Sequence, residues 1–64
     1  MKVGVRLKKF LDENRITCYS VANRVGIPED DFVLFLNGEG KITADEYYKI
    51  CNLLKVPLDM FMEK

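Results

Sequence analysis

Val3, Leu7, Phe10 and Leu11 recur at the spacing of one helix face, with Lys8, Lys9, Asp12 and Glu13 on the other side. This pattern predicts an amphipathic helix from about Lys2 to Asn14, ended at Asn14-Arg15. Thr17 is a residue type that caps helix N-termini through its hydroxyl. The apolar stripe Val21, Ala22, Val25 after it stops at Gly26, which takes the left-handed conformation at low cost, so a short second helix is predicted between them. Pro28 has the fixed φ suited to a first helical turn, and Glu29, Asp30 and Asp31 place negative charge at the positive end of a helix dipole. A third helix is predicted from about Pro28 to Leu36, closed by Asn37-Gly38.

The same stretch admits a competing reading. Phe32 to Leu36 is β-prone and Asn-Gly is a hairpin signal, which would make a strand, a turn and a second strand at Lys41-Ile42. An isolated hairpin needs a further strand to be stable, and the helical reading is preferred on that ground. Thr43-Ala44-Asp45-Glu46 forms a capping box, in which the threonine hydroxyl and the glutamate carboxylate satisfy each other's otherwise unpaired amides. Tyr47, Ile50, Cys51 and Leu54 then supply the stripe of a fourth helix. Val56-Pro57 interrupts it, and Leu58, Met60, Phe61 and Met62 fit a short fifth helix.

Composition narrows the class. The chain has 64 residues, 48% hydrophobic and 31% charged, a globular make-up with room for one domain over residues 1–64. At that size roughly 60% of the unfolded surface can be buried, so stability is modest and no separate catalytic domain fits. Ten basic residues balance ten acidic ones, but they are segregated. Met1 to Arg24 holds six basic residues against two acidic ones, net +4; Val25 to Glu46 holds only Lys41 against six acidic residues, net −5. A charge division of this kind biases which partners approach which side.

Cys18 and Cys51 are the only cysteines and the chain has no histidine, so no zinc-ligand spacing and no Cys-His pair can be assembled. Two reduced thiols are expected, with no metal and no cofactor. The longest apolar run, Phe32 to Leu36, is far too short for a signal core or a membrane span, so a cytoplasmic location is expected. The chain also lacks a nucleophile elbow, a glycine-rich phosphate loop and paired catalytic carboxylates, and it is not expected to be an enzyme.

Taken in order, Thr17, Val21-Ala22, Gly26-Ile27, Phe32, Phe35-Leu36, Asn37-Gly38, the Ile50 to Leu54 stripe and Val56-Pro57-Leu58 with Phe61 give the chain a resemblance. It resembles the Cro and phage-repressor (XRE-type) helix-turn-helix family over nearly its whole length. The resemblance implies an all-α fold of five helices like that of lambda repressor. It also implies a transcriptional regulator that binds double-stranded DNA as a homodimer, since one recognition helix buries too little to be specific alone.

The resemblance assigns the DNA-facing positions to Thr17, Cys18, Arg24, Pro28, Glu29, Asp30, Asp31, Val33, Leu34, Asn37 and Lys41. In the family the residue after the one matched by Thr17 is commonly a glutamine that grips phosphate. The first turn of the third helix commonly carries Ser, Arg, Gln or Thr to the bases. Here those places hold Cys18 and the run Pro28-Glu29-Asp30-Asp31, and the loop that often carries basic residues offers Glu39, Gly40 and Lys41. Carboxylates in the major groove face the flanking phosphates and find a partner only in the cytosine amino group.

On a helix Phe32, Phe35 and Leu36 share one face while Val33 and Leu34 fall outside it, so the outer face is both acidic and apolar. Arg6, Lys8, Lys9, Arg15, Arg24 and Lys41 remain as phosphate contacts. The alternative reading is a protein-interaction module on the same fold, meeting its partner through Asp30, Asp31, Val33 and Leu34.

Overall fold

The computed structural model describes residues 2–62. It contains four helices: α1 (Val3–Glu13), α2 (Cys18–Val25), α3 (Glu29–Leu36) and α4 (Ala44–Leu54). Phe32 to Leu36 is helical, and no strand is present among the described residues, which removes the hairpin reading. Pro28 stands one place outside α3 as its N-cap, with an extended ψ of 136°, rather than inside its first turn.

The caps explain the boundaries. The Thr17 hydroxyl accepts the Ser20 amide at 3.2 Å. In the capping box the Glu46 amide donates to the Thr43 hydroxyl at 3.1 Å and the Thr43 amide donates to Glu46 Oε1 at 2.9 Å. At the other ends one device recurs: a residue in the left-handed conformation follows the last turn, and the next amide reaches back to a carbonyl five residues earlier. The left-handed residues are Arg15 (φ 57°), Gly26 (89°), Gly38 (83°) and Lys55 (58°). The returning bonds run from Ile16 to Leu11 (2.8 Å), Ile27 to Ala22 (3.0 Å), Glu39 to Leu34 (2.9 Å) and Val56 to Cys51 (3.0 Å). The sequence reading anticipated the two glycines; it did not anticipate Arg15 and Lys55, where a side chain sits in a conformation that L-residues enter at a cost of about 1 kcal/mol.

Helix α3 packs against both α1 and α2, and α4 packs against α2. The core is Leu7, Leu11, Val21, Ala22, Ile27, Phe32, Leu36, Ile50, Cys51 and Phe61, with Phe32, Leu7 and Ile50 fully out of solvent. The crossing of α1 and α3 is set by Gly4. A Cβ built there would overlap the Phe35 carbonyl oxygen and stand 2.7 Å from its carbon, so the two backbones touch where no larger residue fits.

The expected fifth helix does not form. Residues 57–62 make two overlapping turns instead, Met60 to Pro57 and Met62 to Asp59, both with amide-to-carbonyl distances of 3.2 Å. Tertiary contacts outweigh the local helical pattern here. In an α-helix the Leu58 carbonyl would receive the Met62 amide; here it receives the Tyr47 hydroxyl at 2.5 Å. Phe61 meanwhile is buried, edge-on to Phe10 with ring centroids 5.5 Å apart, so the segment closes the core as a plug rather than as a helix.

Candidate nucleic-acid interface

Helices α2 and α3 with the turn at Gly26-Ile27 form a helix-turn-helix pair. Gly26 supplies the left-handed bend, Ile27 is buried directly after it, and Ala22 is small enough for α3 to lie close. On α3 the inward and outward faces divide as the 3.6-residue period requires: Phe32 and Leu36 are buried and Phe35 is half-buried. Val33 is 36% exposed and Leu34 45% exposed, and Glu29, Asp30 and Asp31 are all exposed. The outer face of α3 is therefore acidic in its first turn and apolar in its second.

Thr17 and Cys18 lie at the start of α2, Thr17 exposed and Cys18 half-buried. They share a depression with Lys8, Leu11, Asp12, Arg15 and Ile16, where α1 ends and α2 begins. The α2 N-terminus adds backbone N–H groups and the positive end of a helix dipole, a combination that binds anions. Lys8 pairs with Asp12 at 3.2 Å; both side chains are at least half exposed, so the pair is worth only about 0.3–0.5 kcal/mol.

The remaining candidates separate. Arg24 is exposed in the last turn of α2. Asn37 caps α3 at the end far from the carboxylates, and Lys41 follows in the loop, beside Lys2, Gly38 and Glu39 in a second depression. Arg6 is turned toward the Met62 carbonyl at 3.4 Å, which directs it to the C-terminal segment. Lys2 was not among the sequence candidates; its ammonium donates to the Gly38 carbonyl at 2.7 Å and so ties α1 to the end of α3. Gly4 was missed too; it stands three and seven residues before the buried Leu7 and Leu11.

No helix among the described residues is long and apolar enough to cross a membrane, and no group of three or more Cys, Asp or Glu side chains converges there to hold a metal ion. The family model described as a Cro/C1-type HTH DNA-binding domain matches residues 6–63. The chain belongs to this family, which makes it a DNA-binding regulator in the general sense of that description. Searches of curated proteins and of solved structures returned no match.

Proposed function

We propose that this chain is a cytoplasmic, non-enzymatic transcriptional regulator that grips duplex DNA as a homodimer, mainly through phosphates and only weakly through base edges. The observation that carries this reading is the depression between α1 and α2, where Lys8, Arg15 and Thr17, with the single carboxylate of Asp12, line the approach to the amino end of α2. Arg24, exposed in the last turn of α2, and Lys41, in the loop after α3, are further basic groups for phosphates, while the carboxylates of α3 oppose close entry into the groove.

Binding to random duplex DNA should therefore weaken steeply with salt. With two or three phosphates neutralised per protomer, the logarithmic slope is roughly −2 to −3 per protomer. A flat salt dependence, or no binding at low salt, would refute the reading. Neutralising Asp30 and Asp31 to Asn should tighten duplex binding, because each carboxylate about 4 Å from a phosphate costs on the order of 1 kcal/mol in water.

A second reading is supported by the exposure of Val33 and Leu34 beside carboxylates that have no ion-pair partner among the described residues. In it, Asp30, Asp31, Val33 and Leu34 meet a protein. The same Asp→Asn pair would then weaken that complex, and Leu34→Ala would weaken it further.

A further inference from the structure

We propose that residues 57–62 are a detachable plug, a segment that swings out as a unit on Lys55 while α1 to α4 stay folded. Opening uncovers the Phe10 side of α1 and the Cys51 thiol of α4. The ties between this segment and the helices are few. Among the described residues its backbone hydrogen bonds run only within it, Met60 to Pro57 and Met62 to Asp59, and the last backbone tie to α4 is Val56 to Cys51. What holds the segment is one buried ring, Phe61 against Phe10, and two bonds to its carbonyls, from the Tyr47 hydroxyl to Leu58 and from Arg6 to Met62. The Arg6 bond is long at 3.4 Å and exposed, so Tyr47 is the latch.

The rest of the segment faces water. Leu58, Met60 and Met62 are each 45% exposed, so leaving the helices costs them little burial. Against the Phe61 ring and the Tyr47 bond stands the chain entropy that six ordered residues regain. Lys55, left-handed at φ 58° without being glycine, is strained at the hinge and relaxes once the segment leaves. Segments with few buried contacts open locally at a lower free energy than the whole domain. The helix-turn-helix pair lies outside this unit: α3 packs on α1 and α2, and α4 on α2.

Opening takes Met60 and Phe61 out of a slot that they share with Arg6, Lys9, Phe10 and Glu13. Cys51 lies one turn after Tyr47 on α4 and is 1% exposed, and the Tyr47 hydroxyl meets both that thiol and the backbone of Leu58 and Phe61. The thiol is thus a built-in reporter of the plug.

Labelling the native whole chain with iodoacetamide across low urea tests this. In Cys18→Ser, where Cys51 is the only thiol, labelling should run at least about tenfold faster than global unfolding of the same protein allows, and should hardly respond to low urea. The comparison is Val21→Cys with Cys18→Ser and Cys51→Ala, which puts the thiol in α2 at a place 1% exposed. That thiol should label only through global unfolding, with the full urea slope; if this variant does not fold, the slope at Cys51 decides alone. Tyr47→Phe should speed Cys51 labelling about 2- to 10-fold, the worth of one hydrogen bond. Phe61→Leu, which leaves the hydroxyl beside the thiol in place, should speed it too. Each rate is referred to that protein's own unfolding equilibrium, so a general loss of stability does not count.

Cys51 labelling with the full urea slope, labelling as slow as global unfolding dictates, or equal referred rates at Cys51 and in the Val21→Cys protein would each overturn the proposal. So would Tyr47→Phe and Phe61→Leu proteins whose labelling rises no more than their global stability falls.

Discussion

Replacing Gly4 by Ala sets two effects of known size against each other. In a helix the change is favourable by up to about 1 kcal/mol, less in a first turn, because alanine has less backbone freedom to lose. The added methyl, however, would overlap the Phe35 carbonyl oxygen and come within 2.7 Å of its carbon and 3.3 Å of the Leu36 Cα. All three are backbone atoms of α3, so no flexible side-chain end can swing aside. Relief requires α1 and α3 to part by on the order of 1 Å, which loosens Leu7 and Leu11 against the core they share with Phe32 and Leu36.

Overpacking of this kind costs typically 1–3 kcal/mol and occasionally more, so the steric term wins and Gly4→Ala should be net destabilising by about 1–2 kcal/mol. In urea unfolding followed by circular dichroism, with a slope near 1 kcal/mol/M for so small a domain, the midpoint should fall by roughly 1–2 M. Gly26→Ala is the control: nothing lies within 4 Å of its Cβ, so any loss there comes from the left-handed φ of 89° alone. A Gly4→Ala protein as stable as the wild type, or more so, would refute the claim that contact at this glycine sets the α1–α3 crossing.

Lys55→Gly should raise stability by about 0.5–1 kcal/mol in the same assay, since Lys55 is left-handed at φ 58° and glycine adopts that conformation without the Cβ penalty. Cys18, half-buried at the start of α2, should react with a thiol reagent in the native protein well before Cys51, which is 1% exposed and whose thiol burial pushes up in pKa; equal labelling rates would contradict this. Tyr47 is held up to about 12, first by burial and then by the neighbouring Cys51 thiol. The folded chain thus keeps this proton more tightly than the unfolded one, so the stability it contributes is intact below pH 10 and is lost as pH rises from there toward 12. Unfolding midpoints of the wild type and Tyr47→Phe should therefore shift relative to each other only above pH 10.

The parts of the fold legible in the sequence are those governed locally. The Thr43 capping box, the Thr17 cap, the stops at Gly26 and Gly38 and the division of α3 into inner and outer faces all follow from residue types at short spacing. What was not legible depends on distant partners. Leu58 to Met62 carries a helix-like pattern, but the Tyr47 hydroxyl takes the Leu58 carbonyl, and Phe61 is drawn under Phe10. Gly4 gives no hydrophobic signal, and its role exists only because the backbone of α3 lies against it. At the interface, the exposure of the α3 carboxylates, Val33 and Leu34 was readable from the helical period. That Lys8 and Arg15 join Thr17 in one depression, while Arg6 turns away to Met62, required the three-dimensional path of the chain.

Helix α3 is held from behind by Gly4 at its last turns and by the Gly26-Ile27 bend before its first. None of these anchors involves a side chain at positions 29, 30, 31, 33 or 34. The mounting and the message are thus written in separate residues, and the outer five can be exchanged as a set without asking the core to repack. Grafting Ser, Arg or Gln onto them amounts to changing the lettering on a fixed sign, and a lineage could pass between reading DNA and meeting proteins by surface substitutions that each cost within about 0.5 kcal/mol of stability.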